Sequence, residues 1–540
     1  MVFNASSPFL DTESVIRGVE EALKSSPLLL AKTVKADRLP VALVVDTVVQ
    51  DKAKSLLAEE EATNTRRREY VKATFESLFH GYVNACSPVF PRKSLSEDAC
   101  IDEFGVNLAR LDALDLLWMI GLKTDFAESQ LWIESNLQFI KAADVSVPDT
   151  SSRVVGGLLA AFELTNRPFF LKRAALIADR LLPAFEKLKT GLPLPIIDLL
   201  TGKAKYHHNS EGVLTIGEIA GSALEFVYLA HHLNELRFAH KPLNAIQYLR
   251  LHATDDQPGQ YATHIDAETG AYKTRLLSLN PPSDLFYKTL YKLVKLCKRR
   301  VKWLNEMWKE AEESIAKQLF AHSGSLFYHI EVELGENDGH FGARQTEKRE
   351  GGEAKVSHAS CGLSALLSMY AQDIEDSQNS KDLFEFGEGF AATCVEMNRK
   401  SPNGIAPSFS TISTGQLQPI ADSPSESSDH MNADTFEALF FLSRLTGNPK
   451  YREFTWELFE AICKHFQLRT SSIKSTIQSN NAFTTQYPKV NAKAMRFLTK
   501  AFRFAYLTFS DTDVLPINTY IFNDDGHPLA SLKPDVALYS

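Results

Sequence analysis

Leu111–Leu122, LDALDLLWMIGL, is followed by Arg153–Thr165, RVVGGLLAAFELT, then Asp179–Phe185, DRLLPAF, and Glu218–Ala230, EIAGSALEFVYLA. Apolar side chains recur in these stretches every three or four residues, as at Leu111, Leu114, Trp118 and Leu122, and the rhythm returns at Phe436, Leu439 and Phe440. That period keeps apolar groups on one face of an α-helix, so the chain is predicted to be overwhelmingly helical. The helical blocks come in pairs of roughly 40 to 60 residues with no shared consensus, which predicts a ring of antiparallel helices rather than a stacked solenoid.

Glycine and proline fall between the blocks, in GLPLPIIDLLTG after Phe185, LNPPSD before Leu285 and SPNGIAP after Lys400, and read as long loops joining helices. LFYHIEVEL after Ser325 has the composition of a β-hairpin. Two further segments read as rim loops: GENDGHFGARQTEKREGGEAK from Gly335, and STGQLQPIADSPSESSDH just before the motif at Asp434. Residues 1–65, with the charged run EEEATNTRRREY across their boundary, are expected to form peripheral helices. Residues 66–540 are expected to form the main domain.

Of the 540 residues, 44% are hydrophobic and 23% charged, the balance of a globular chain with a large core. The net charge of −9 and scattered basic residues exclude a nucleic-acid footprint, which needs a Lys/Arg face. KRRVK near Lys298 reads as a solvated helix face. No run approaches the roughly 18 apolar residues that span a bilayer, and MVFNASSPFLDTES lacks the basic start and apolar block of a secretory signal. A cytoplasmic location is therefore expected unless the N-terminus is truncated, and the sequon at Asn4 reads as coincidental. Cys86, Cys100, Cys297 and Cys463 show no metal-like spacing and are expected to be buried free thiols.

The four opening strings, together with Ser443–Ile462, Phe509–Asn523 and Gly526–Leu529, resemble the class I α-1,2-mannosidases, glycoside hydrolase family 47. The resemblance covers roughly four fifths of the chain. It implies an all-α fold, an (α/α)7 toroidal barrel with short β-hairpins on one rim, and an inverting reaction on an oligosaccharide. Inversion needs two carboxyl groups roughly 6.5 to 9.5 Å apart, one to protonate the leaving oxygen and one to activate water. On the resemblance, the catalytic carboxylates are Asp149 in VPDTSSRVVGG, Asp284 in NPPSDLFYKTL and Asp434 in MNADTFEALF. Arg153, Glu218, Lys288, His358, Glu437 and Lys500 are the implied substrate-binding residues. Asp149 and Asp434 also read as helix N-caps, and Glu218 as a structural cap. Cys361 and Cys394 fall where the family carries a disulfide; a reduced thiol pair is the alternative.

Several positions depart from the family pattern. Aspartate replaces glutamate at Asp149 and Asp434, an Arg-Pro pair is replaced by Asn432-Ala433, and family glutamates are replaced by Lys288, Ser408, Ala494 and Lys500. The resemblance implies Ca2+, held through a Thr in a Phe-Asn-Thr turn. Here that turn reads Phe522-Asn523-Asp524, which leaves Asp524 either a metal ligand or the partner of Lys288 or Lys500. The expected function is inverting hydrolysis of an α-1,2-mannosidic or related bond, with Asp149 as acid, Asp434 as base and Asp284 assisting the water. The alternatives are a cytosolic enzyme that uses the barrel on a small-molecule substrate, and a non-catalytic glycan-binding protein. Nothing points to a nucleic-acid partner or a membrane span.

Overall fold

A computed structural model describes residues 43–86, 100, 107–137, 144–210, 212–252, 258–337, 340–342, 354–374, 377–422, 431–468 and 490–533. Asn4 and most of residues 1–65 lie outside them.

The helical spacing folds as fourteen main helices in two concentric rings among the described residues. The inner ring is α2 (Leu114–Met119), α4 (Gly156–Thr165), α6 (Ala223–Leu233), α8 (Ser283–Leu296), α10 (Gly362–Ala371), α12 (Asp434–Thr446) and α14 (Ala492–Thr508). Each packs against an outer helix, in turn α3 (Lys123–Asn136), α5 (Pro168–Leu181), α7 (Leu236–His252), α9 (Lys302–Gln318), α11 (Ser377–Lys400), α13 (Lys450–His465) and α1 (Leu43–Ala85). Successive inner helices touch, and α14 closes the ring onto Ala109–Asp112 beside α2. This is the expected (α/α)7 barrel.

Burial follows position in the rings. Every residue of α10 is buried, whereas the outer α5 buries only Phe170, Ala174, Ile177, Ala178 and Leu181, one stripe of its surface. The inner-to-outer turns are tight because Asn166, Asn234 and Gly447 end α4, α6 and α12 in the left-handed region, where a helix stops without a long loop. Pro168 then opens α5 at a position that needs no N–H donor. α1 runs unbroken through residues 65 and 66, and its Arg67 forms an ion pair with Glu453 of α13 at 2.7 Å.

The small antiparallel sheets lie mostly in the outer-to-inner connections, at the N-terminal ends of the inner helices. LFYHIEVEL does not fold on itself as a hairpin: Leu326–His329 pairs back with Phe320–Ser323, and Val332–Glu333 pairs with Leu276–Leu277. Three loop expectations are corrected. Gln416–Ile420 is a strand paired with Phe409–Ser413, because Thr414 and Gly415, both at positive φ, make a two-residue turn between them. Gly335–Asn337 pairs with His340–Gly342, and residues 343–353 lie outside the described residues. GLPLPIIDLLTG contains the strand Ile196–Asp198, which pairs with Asp144–Ser146. Lys298 and Arg299 are a turn rather than a helix face, since both adopt positive φ and end α8.

Cys361 and Cys394 are disulfide-bonded, joining the start of α10 to α11. Cys86 and Cys100 are bonded as well, which corrects their expected free state: the end of α1 brings their Cα atoms to 5.6 Å, a proximity that spacing alone does not signal. Cys297 and Cys463 are free and buried. Among the described residues, no helix is long and apolar enough to cross a membrane.

One hairpin is set differently. Tyr520–Phe522 and Pro528–Ala530 follow the C-terminal end of α14 and run back along the barrel axis, touching α8 and α4. Phe522 is fully buried among Phe440, Phe441 and Phe504, with ring centroids 5.5, 5.9 and 5.2 Å away. Burying such a ring contributes roughly 2 to 3 kcal/mol toward holding the hairpin in place. Its turn, Asn523–Gly526, thereby reaches the middle of the barrel.

Candidate active site

The turn enters because the wall has no side chain in its way. A Cβ on Gly156 would overlap the Asn523 side-chain amide, and one on Gly157 would crowd the His527 ring. Asn523 is fully buried; its Nδ2 donates to the Ser152 carbonyl at 2.7 Å and to Glu225 Oε1 at 2.9 Å, while its Oδ1 accepts from the His527 N–H. Below it, Asp115 accepts from Arg503 at 2.7 Å and lies 2.9 Å from the His527 ring, so the base of the hairpin is clamped by buried charge. Ser152 lies in a π-helical run, Thr150–Val155, inserted before α4. Such bulges re-aim side chains and concentrate at working sites.

Three lysines stand around the turn. Lys288 on α8 follows Asp284 by one helical turn, and its ammonium lies 2.9 Å from Asp284 Oδ2, 3.1 Å from Asp434 Oδ2 and 2.9 Å from Asp524 Oδ1. Lys500 on α14 pairs with Asp434 Oδ1, lies 3.3 Å from Glu437 Oε2 and donates to the Asp524 carbonyl at 2.7 Å. Lys292, one turn beyond Lys288, donates to Glu437 Oε1 at 3.1 Å and to the Asn523 carbonyl at 3.2 Å. Asp434 reaches this centre from the first turn of α12, where Gly362 of α10 leaves room for its carboxylate.

Electrostatics separates the carboxyl groups. Burial alone would raise Asp434, but Lys288 and Lys500 outweigh it and hold it below the ordinary carboxylate value. Asp524 is lowered in the same way. Asp284 has the opposite balance: burial raises its carboxyl, and Lys288 only partly offsets the shift. Lys288 stays charged because Asp284, Asp434 and Asp524 together outweigh its desolvation.

Asp284, Lys288, Asp434, Glu437, Lys500 and Asp524 thus form one connected cluster. Asp149 joins it indirectly. Its Oδ1 accepts from Arg496 at 2.6 Å, and Arg496, one turn before Lys500 on α14, also binds Asp525 at 2.7 Å. Asp149 is the most exposed of the three aspartates, 27% against 6% for Asp284 and 1% for Asp434. Asp149 and Asp434 stand in the first turns of their helices, but neither side chain caps one; the cap before Asp149 is Ser146.

The other expected residues are placed elsewhere. Arg153 turns into the wall, where it makes two 2.8 Å bonds to the Asp112 carboxylate. Glu218 caps the helix Ile216–Ala220 in a reciprocal box with Thr215 and lies 2.7 Å from His207. His358 is buried, 2.7 Å from Thr435 Oγ1, so it backs the residue after Asp434. Burial lowers its imidazole to about 4.

Arg496 and Lys292 were not anticipated, and Asp525 and Glu225 were not assigned to the site. The four-residue spacings Arg496/Lys500 and Asp284/Lys288/Lys292 were the available signal, since each places its charges on one face of an otherwise apolar helix. Glu225 is buried, its Oε2 has no hydrogen-bond partner, and burial pushes its carboxyl up to about 7. It borders a hollow of about 10 Å³, room for a single water, lined also by Ser152, Thr289, Lys288, Lys292 and Asp524.

Calcium does not fit this arrangement. It takes six to eight oxygen ligands, yet the Asp524 carboxylate and carbonyl oxygens face ammonium groups. Among the described residues, no group of three or more His, Cys, Asp or Glu gathers as a metal cage.

Comparison with known proteins places the chain. The family model for glycosyl hydrolase family 47 matches residues 74–531. Mannosyl-oligosaccharide alpha-1,2-mannosidase IA of Drosophila melanogaster is 28% identical over 478 residues, which is 87% of this chain and 68% of that protein. Mannosyl-oligosaccharide 1,2-alpha-mannosidase IB of Mus musculus is 29% identical over 426 residues, 78% of this chain and 63% of its own length, so this chain spans just under two thirds of that relative. The solved alpha-1,2-mannosidase from Trichoderma reesei superposes with a TM-score of 0.66 at 18% identity, covering 87% of this chain and 99% of the other, which establishes a shared fold.

Proposed function

We propose, for a chain that belongs to glycosyl hydrolase family 47, that it hydrolyses an α-1,2-linked mannose or a related α-glycoside at the end of an oligosaccharide, with inversion. The observation that carries this reading is the meeting of Asp284 and Asp434 at the single ammonium of Lys288, with Asp149 tied in through Arg496. Asp434, held ionised, takes a proton from water. Asp284, biased by burial toward its protonated form, orients that water. Asp149, the least buried of the three, protonates the leaving oxygen. The relatives' names specify oligosaccharide substrates, which favours a glycan over a small hydrophobic molecule. Two disulfides favour an oxidising compartment over the cytoplasm.

A second reading has its own support. Lysines already occupy the carboxylates, as would suit a barrel that binds mannose-rich glycans without cutting them. Mannose release from α-1,2-mannobiose and from a high-mannose oligosaccharide, with the product anomer read by proton NMR, separates the two. Release of the inverted β-anomer, lost in Asp434→Asn, supports hydrolysis. Saturable glycan binding with no release supports the second reading and overturns the first.

A further inference from the structure

We infer that Lys288, Lys292 and Lys500 form a built-in cation at the barrel axis, which seats the turn Asn523–Gly526 without a metal ion and leaves the barrel with no calcium site.

Three ammonium groups face four carboxyl groups, Asp284, Asp434, Glu437 and Asp524. Each lysine is also used as a donor to the hairpin or its neighbours. Lys500 and Lys292 donate to consecutive main-chain carbonyls, those of Asp524 and Asn523, and Lys288 forms an ion pair with the Asp524 carboxylate at 2.9 Å. These are the oxygens that a divalent ion would need. Taking them would strip acceptors from Lys288, Lys292 and Lys500 and bring two further positive charges close to ammonium groups held on buried helix faces. At such separations in a poorly screened interior, repulsion between like charges costs several kcal/mol. Lys500 satisfies the Asp524 carbonyl, and Lys292 adds a second donor to the Asn523 carbonyl, which also accepts from the Gly526 N–H. Unlike a bound ion, these tethered cations cannot be removed by a chelator.

The inference is independent of whether the aspartates cut a glycoside, and its test reads no activity. Thermal unfolding of the full chain is followed in excess EDTA and in excess CaCl2, and Ca2+ is titrated into EDTA-treated protein by calorimetry. The expected result is one midpoint in both buffers and no saturable heat. A midpoint that falls by several degrees in EDTA, or a saturable isotherm, overturns the inference. The variant Lys288→Glu/Lys500→Glu removes two of the three cations and adds two carboxylates. It is expected to unfold at a lower temperature in EDTA and to recover on adding Ca2+. A folded double variant that is indifferent to Ca2+ and as stable as the parent would show that the lysines do not seat the turn. If the double variant does not fold, the parent titration alone decides the matter.

Discussion

The Lys288 ammonium lies 2.9 Å from Asp284, one turn earlier on its own helix, and 3.1 Å from Asp434, 146 residues further along the chain. One side chain therefore couples the start of α8 to the start of α12, and several expected outcomes depend on that coupling.

Asp434→Asn leaves Lys288 and Lys500 facing a neutral amide. Breaking a buried ion pair from one side costs on the order of 3 to 5 kcal/mol, so urea unfolding should show a loss of that size. In the proposed hydrolase the same change removes the base, and mannose release should fall by a factor of at least about a hundred.

Lys288→Met uncovers three carboxylates at once and is expected to destabilise the fold at least as much. Combined with Asp434→Asn, the two losses should sum to less than the separate values, with an interaction of about 1 to 3 kcal/mol in a double-mutant cycle. Full additivity would mean that the pair does not interact.

Stability should depend on pH from both sides. Asp434 and Asp524 are lowered in the folded state, so their contribution is present above the unfolded carboxylate value of about 4 and is lost as pH falls below it. Glu225 is raised to about 7, so its contribution is complete at low pH and is lost as pH climbs from about 4.3 to 7. The slope in that window should approach one proton, about 1.4 kcal/mol per pH unit. Glu225→Gln, which keeps an oxygen for Asn523, should flatten it; denaturant melts at several pH values measure the difference.

Gly156→Ala should displace the hairpin, because the added methyl meets the Asn523 amide rather than open space. A cost of about 1 to 3 kcal/mol is expected from overpacking of this kind. Proteolysis at the Asn523–Gly526 turn should accelerate.

Thiol titration of denatured, unreduced protein should count two groups, Cys297 and Cys463, and reduction should raise the count to six. Cys394→Ser opens the 33-residue separation closed by Cys361 and should cost about 2 to 4 kcal/mol.

Some of these features were legible in the residues. The helical period of Leu111, Leu114 and Trp118 is a local property, and it foretold the helices; the seven-pair barrel followed from the resemblance to family 47. The Gly156-Gly157 pair was visible too, but its purpose was not: only the folded hairpin shows that Asn523 and His527 occupy the space its missing side chains leave. Arg153 illustrates the converse. By position it belonged with the substrate residues, yet Asp112, 41 residues earlier, draws it into the wall. The Thr414-Gly415 turn was hidden by a loop-like composition.

The amino-acid order by itself determined the ring of helix pairs and the presence of acidic and basic residues on inner helices, since period and composition act between near neighbours. The tertiary structure decided which charges meet. Lys292 and Lys500 share Glu437, and Arg496 holds both Asp149 and Asp525, through contacts that span up to 347 residues. Pairing at that range leaves no periodic trace in a sequence, because it is selected by desolvation and Coulomb attraction only after the barrel has closed.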